Sequence, residues 1–171
     1  MNNRSNIRIL SLFKRHQAPQ SFTRNIKSGI GGIFCIASIA WLGFITDSLL
    51  LMAPFGASCV LVFSLPNSPL SQPVNVIGGH LISTLIGILL FQLLPFEWWT
   101  PAIAVGLSIS LMAILRLTHP PAGADPLVVF MGGYGWEYLV FPVVMGSLLI
   151  TLIAWLFHKL PPGSDYPIVK P

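Results

Sequence analysis

Charge is scarce in this chain. Of its 171 residues only 8% are Asp, Glu, Lys or Arg, and five are acidic. A water-soluble domain carries about a quarter. With 54% hydrophobic residues and a mean hydropathy of +0.78, a soluble globular fold is excluded and an integral membrane protein remains. No charged side chain interrupts residues 28–46, 48–96, 98–115 or 138–157, and His80 is the one histidine within them. A membrane helix needs about 20 mostly apolar residues, so the second run is long enough for two elements.

Cysteine is scarce as well. Cys35 and Cys59 both lie in apolar runs, which supports neither a disulfide framework nor a metal site. There is no His-Glu-x-x-His, no Gly-x-Ser-x-Gly, no P-loop and no carboxylate pair, so none of the common catalytic signatures is present. These absences predict a chain that is not an enzyme and holds no cofactor. Basic residues are few but unevenly placed. Arg4, Arg8, Lys14, Arg15, Arg24 and Lys27 all precede the first long apolar run, with no acid among them. The net charge of +4 is therefore a topology signal rather than a nucleic-acid footprint, and it predicts a cytoplasmic N-terminus. Ile7, Ile9, Leu10, Leu12 and Phe13 interleave with these charges, which reads equally as an interfacial helix or as a solvated basic tail. The length of the first apolar run and of the polar stretch before it speaks against a cleaved signal peptide.

Proline and glycine, by contrast, are abundant at 15 each, and their placement repeats. Pro54-Phe55-Gly56-Ala57 recurs 67 residues on (121 − 54 = 67) as Pro121-Ala122-Gly123-Ala124. At that offset residues 53–90 align with 120–157 without gaps, matching Pro54/Pro121, Gly56/Gly123, Ala57/Ala124, Gly79/Gly146 and Thr84/Thr151. The fold this predicts is an all-α membrane protein of two tandem repeats, each with two full membrane helices and one short, broken or re-entrant half-helix. The full helices are expected at 27–46 and 75–94 and at 99–117 and 138–159, the half-helices at 54–65 and 121–132. Segments of about 11 residues rising roughly 1.5 Å each reach only half the bilayer core. The organisation is then a basic cytoplasmic segment (1–27), repeat one (28–98), repeat two (99–159) and a loose polar tail (160–171). Inverted repeats that cross three times and parallel repeats that cross twice both leave the two termini in the cytoplasm.

A proline-glycine break frees backbone N–H and C=O groups that lipid cannot satisfy, so it survives only against protein or a water-filled cavity. Paired breaks in two halves of a chain point to a transport site. A half-helix starting at mid-membrane directs unsatisfied N–H groups and its positive dipole end inward, and two such ends make an anion site. The residues predicted to line it are Pro54, Gly56, Ala57, Ser58, Pro121, Gly123 and Ala124. His119 and Asp125 join them because ionisable residues between membrane segments mark functional sites. Arg116, Thr118, Asn75 and His80 form a second rank. Arg116 reads equally as a headgroup residue, and Asn75 and His80 mainly as helix-packing groups. Asp125 is expected to pair with Arg116 or His119, or to be protonated with substrate, which would couple anion movement to a proton. Ser58 is its counterpart in the first repeat.

The run Thr118-His119-Pro120-Pro121-Ala122-Gly123-Ala124, with Phe55-Gly56-Ala57-Ser58 and residues 68–80 before it, resembles the HPP family of integral membrane proteins. The resemblance spans residues 27–159 and implies four membrane helices. Plastid and cyanobacterial members are associated with nitrite transport, so it also implies a nitrite carrier or channel. The combined expectation is small-anion transport, nitrite foremost, by a multi-pass protein of the cell's inner (plasma) membrane. So short a chain leaves room for a homo-oligomer. Two alternatives stay open: a non-transporting subunit or scaffold, and an intramembrane enzyme drawing on His119 and Asp125.

Overall fold

The computed structural model describes residues 13–168. Six principal helices run through them: α1 (Phe22–Thr46), α2 (Ala53–Ser64), α3 (Pro73–Leu93), α4 (Thr100–Ile114), α5 (Asp125–Gly132) and α6 (Trp136–His158). Short 3-10 turns, Pro69–Ser71 and Pro120–Ala124, precede α3 and α5. The protein is all-helical, and α1, α3 and α6 are long and apolar enough to cross a bilayer. Large apolar side chains cover the outside, including Phe44 at 84% exposure and Met131 at 85%, as a lipid-facing surface requires.

Local chemistry sets the helix ends. The Ser21 hydroxyl accepts from the Arg24 amide at 3.4 Å and caps α1. Asp47, in the left-handed region at φ 49°, closes that helix. Proline occupies an early position of α2, α3, α4 and α5, where its missing N–H leaves no helical bond unmade. Gln72 clamps the turn before α3, its amide donating to Pro66 O and Ser68 O at 2.8 Å each.

α3 is the central element, packed against α4, α5, α6 and the Pro120–Ala124 turn. Lipid gives little hydrophobic drive for helices to associate, so close backbone approach at small residues carries the packing. A Cβ on Gly87 of α3 would lie 2.9 Å from the Pro126 Cα of α5. One on Gly146 of α6 would overlap the ring of Phe55, which is fully buried on α2. The N-terminal part of α6 is irregular: residues Leu139–Val144 form a π segment, with Phe141 at φ −124°, ψ 115° and Pro142 within it. Proline supplies no N–H to the ladder, which accounts for the widened turn.

Four predicted features differ from what folds. The segment expected as a full span at 99–117 is a 15-residue helix, α4. Three helices rather than four therefore have the length to cross alone. It stops because Arg116 takes a left-handed conformation at φ 58° and His119 is extended at φ −135°, ψ 101°, the region a residue before proline prefers. The second break does not open as an α-helix at Pro121: a 3-10 turn comes first, and α5 spans only eight residues from Asp125. The first helix starts at Phe22, inside the stretch read as a basic N-terminal segment. The tail is not loose: Tyr166 is 5% exposed and packs on His158 at 5.3 Å between ring centroids, and the Ile168 amide donates to Gln72 Oε1 at 2.8 Å. Burial pushes the Tyr166 phenol above its ordinary pKa. The interfacial helix considered for residues 7–13 falls almost wholly outside the described residues.

The Gly146–Phe55 contact is the tightest of these seats. Gly146→Ala should destabilise the detergent-solubilised protein by about 1–3 kcal/mol, read as a lowered melting temperature. Phe55→Leu in the same chain should recover most of the loss; a neutral Gly146→Ala would show that the helices do not depend on this approach.

Candidate functional site

One helix face builds the centre of the site. His80, Ser83 and Thr84 stand three and four residues apart on α3, so they share a face, and all three are fully buried. α2 contributes Ser58, the His-Pro-Pro turn contributes His119 and the first residue of α5 contributes Asp125, each also fully buried. A continuous chain of hydrogen bonds joins all of these but Ser83. His80 Nδ1 lies 2.8 Å from Asp125 Oδ2, and His80 Nε2 lies 2.8 Å from Ser58 Oγ. Ser58 Oγ also lies 2.9 Å from His119 Nε2 and 3.2 Å from the Pro54 carbonyl. His119 Nδ1–H donates to the Leu70 carbonyl at 2.8 Å. The Thr84 hydroxyl donates to Asp125 Oδ2 at 3.3 Å. Asp125 Oδ1 is buried with no hydrogen-bond partner among the described residues.

The surroundings fix these groups in place. A Cβ on Gly79 would lie 2.7 Å from His119 Cβ and 3.1 Å from Leu117 O, so α3 seats the histidine directly against its backbone. Asn75 Nδ2–H donates to Thr118 O at 3.1 Å, and the Ser83 hydroxyl to Ala122 O at 2.6 Å. These bonds satisfy carbonyls that the broken turn leaves free. The Phe55 ring meets His80 edge-on at 5.3 Å, and the two histidine rings lie 5.1 Å apart. Nearby, the Tyr138 hydroxyl donates to Met52 Sδ at 3.5 Å.

A second polar feature lies at the other end of α2. A cavity of about 420 Å³ is lined by Arg24, Lys27, Ser28, Asn67 and His158, with no acidic residue in its wall among the described residues. The Lys27 ammonium donates to Leu160 O and, at 2.8 Å, to Pro162 O, while His158 Nε2–H donates to Val62 O at 3.0 Å.

The model of the HPP transmembrane region matches residues 17–167, taking in every helix just described. The chain belongs to the HPP family. Two transmembrane proteins of Dictyostelium discoideum are similar to this HPP chain. One is 35% identical over 127 residues, covering 69% of this chain and 44% of that protein, and the other is 32% identical over 130 residues, covering 71% and 42%. The chain thus spans less than half the length of these relatives. No solved structure matches it.

The predicted site residues of this HPP chain divide into two groups. Ser58, His119 and Asp125 meet in the buried chain, with Pro54 accepting from Ser58. Pro121 is buried beside them, while Gly123 and Ala124 are half-buried and Gly56 and Ala57 are exposed, with nothing within 4 Å of a Cβ on either glycine. Thr118 is half-buried and Asn75 is buried; they bond each other. Arg116 is exposed, so it is not the partner of Asp125. Nor is His119. Asp125 pairs with His80, which was expected mainly to pack helices and instead links Asp125 to Ser58. Ser83 and Thr84 were missed. Their signal was present in the i, i+3, i+4 spacing from His80, the one histidine inside a long uncharged run.

Removing one partner of a buried acid–histidine pair strands the other. His80→Leu should lower stability by about 3–5 kcal/mol, and Asp125→Leu similarly. The double substitution should lose less than the sum; additive losses in a double-mutant cycle by thermal unfolding would mean that the two do not interact.

Proposed function

We propose that this HPP protein carries a small inorganic anion, nitrite foremost, across the membrane it spans. The observation that carries the reading is the fully buried chain Asp125–His80–Ser58–His119, set where the two proline-glycine segments come together inside a lipid-type surface. Polar and ionisable groups are expensive in that position and mark solute pathways. Broken segments of this kind surround transport sites. The basic cavity at Arg24 and Lys27 favours an anion over a cation, and the association of family relatives with nitrite supplies the substrate. In this reading the two proline-glycine segments flank the path of the ion, the amides of Gly56, Ala57, Gly123 and Ala124 being taken up in their own helical turns, and the chain is a duplicated pair of repeats with both termini in the cytoplasm of the inner membrane. Gly56 and Ala57 lie on the outer face, so a homo-oligomer in which a second copy covers them suits this arrangement.

A hydrolase is the second reading, because Ser58, His80 and Asp125 follow the connectivity of a serine triad, 2.8 Å at each link. His119 weighs against it. Its Nδ1–H is committed to a carbonyl that can only accept, so a neutral His119 takes the Ser58 proton at Nε2. While His119 is neutral, His80 then faces Ser58 as a donor rather than as a general base.

Liposomes holding only the purified protein should take up nitrite saturably and faster than protein-free vesicles, and Arg24→Gln should reduce the initial rate. No flux of nitrite, nitrate or bicarbonate would favour a non-transporting subunit. Covalent labelling of Ser58 by a fluorophosphonate would favour the hydrolase.

A further inference from the structure

Ser58 has one proton and three neighbours that compete for it or answer it: His80 Nε2 at 2.8 Å, His119 Nε2 at 2.9 Å and Pro54 O at 3.2 Å. The outer nitrogen of each histidine is already assigned. His119 Nδ1 carries a proton because Leu70 O only accepts, and one proton lies between His80 Nδ1 and Asp125 Oδ2. The open variables are therefore the two Nε2 positions, both aimed at a single hydroxyl. We propose that the Ser58 hydroxyl is the selector of a proton-loading site that takes up and releases one proton with each anion carried; the coupling to an anion rests on the transport reading above.

Proton counting shows how it works. With one Nε2 proton present, on His80, Ser58 accepts it in a hydrogen bond and donates its own to His119 Nε2. A shift moves that proton without a net change: the His80 N–H bond breaks as a new Ser58 O–H forms, and the old Ser58 O–H breaks as a His119 N–H forms. The hydroxyl now donates to His80 and accepts from His119. When a second proton arrives and both Nε2 atoms are protonated, Ser58 accepts from both and turns its own O–H to Pro54 O. The Ser58 hydroxyl and both Nε2 atoms stay paired in all three arrangements. With no Nε2 proton, one histidine nitrogen has no donor, a costly state in a fully buried site. The site thus cycles between one proton and two, and one exchangeable proton balances one monovalent anion.

Among the described residues, the ionisable side chains bonded within this site are His80, His119 and Asp125. α2 presents Ser58, α3 His80 and Thr84, the His-Pro-Pro turn His119, and α5 Asp125. Tyr138 of α6 has its phenol on Met52 Sδ, and α4 has no ionisable side chain. On α1 the buried titratable side chain is Cys35, whose neighbour is Cys59 of α2.

The experiment reads the nitrite accumulation ratio in proteoliposomes against an imposed pH step, with protein-free vesicles subtracted. Wild type should approach about tenfold accumulation per pH unit, as one proton per anion requires. Ser58→Ala should bring the ratio to one whatever rate remains, and Ser58→Thr, which keeps the hydroxyl, should restore the slope. A slope unchanged in Ser58→Ala overturns the proposal. If wild type carries no nitrite, the transport reading fails, and the proton site is then judged by ¹⁵N NMR of the histidines in purified protein. His80 and His119 should change protonation together over one titration step that Ser58→Ala splits or abolishes. Two histidines of fixed tautomer from about pH 5 to pH 9 would overturn it on its own.

Discussion

A carboxylic acid held wholly away from water and lipid headgroups must find a partner or lose its charge. Asp125 meets that constraint through His80, and much of the architecture follows from it. α5 begins at Asp125, so the acid's position fixes where that short helix starts against α3. His80 in turn needs a partner for its second nitrogen, which brings α2 in through Ser58. Ser58 reaches the turn that carries His119, and His119 reaches Leu70 in the loop before α3. Four separate elements are thereby tied around one helix face. In a low-dielectric interior such a network is worth keeping only if nearly every member is satisfied, and the single bare atom, Asp125 Oδ1, sits at its end.

Small residues let this polar chain close. Gly79 admits His119, Gly87 admits Pro126 next to Asp125, and Gly146 admits Phe55, whose ring edge rests on His80. Each contact sets the distance of one site-bearing element from its neighbour. The steric and polar demands are therefore linked: widening any of these approaches would lengthen hydrogen bonds that are now 2.8–2.9 Å.

The breaks at Pro54 and Pro121 could be read from the sequence because their cause is local: proline suits the first turn of a helix and not its interior, so each marks a place where one segment ends and another begins. The membrane class was legible from composition for a similar reason. The His80–Asp125 contact was not, since it joins residues 45 apart and depends on how α3 and α5 pack. Apolar runs also conceal ends. Nothing in the uncharged stretch to Leu115 marks α4 as only 15 residues long; that is decided by the backbone demands of the His-Pro-Pro turn beyond it. The tail misled because its proline-rich composition suggests a loose segment, whereas Tyr166 and Ile168 each find one specific partner.

Those backbone demands also explain why histidine followed by two prolines suits this place. A residue before proline avoids the helical region, so His119 is extended and its ring is set by the turn instead of by a helix face. The two prolines that follow, Pro120 exposed and Pro121 buried, have no N–H, so the turn leaves two fewer donors to satisfy. The donors and acceptors that remain are met nearby, Ala122 N–H by His119 O and Ala122 O by Ser83. A histidine delivered this way keeps one nitrogen on a fixed carbonyl and leaves the other to Ser58 alone. Without it, Ser58, His80 and Asp125 would have the connectivity of a nucleophile, base and orienting acid. With it, the serine proton has a second destination, at 2.9 Å, which a simple triad lacks and which the proposed proton site requires.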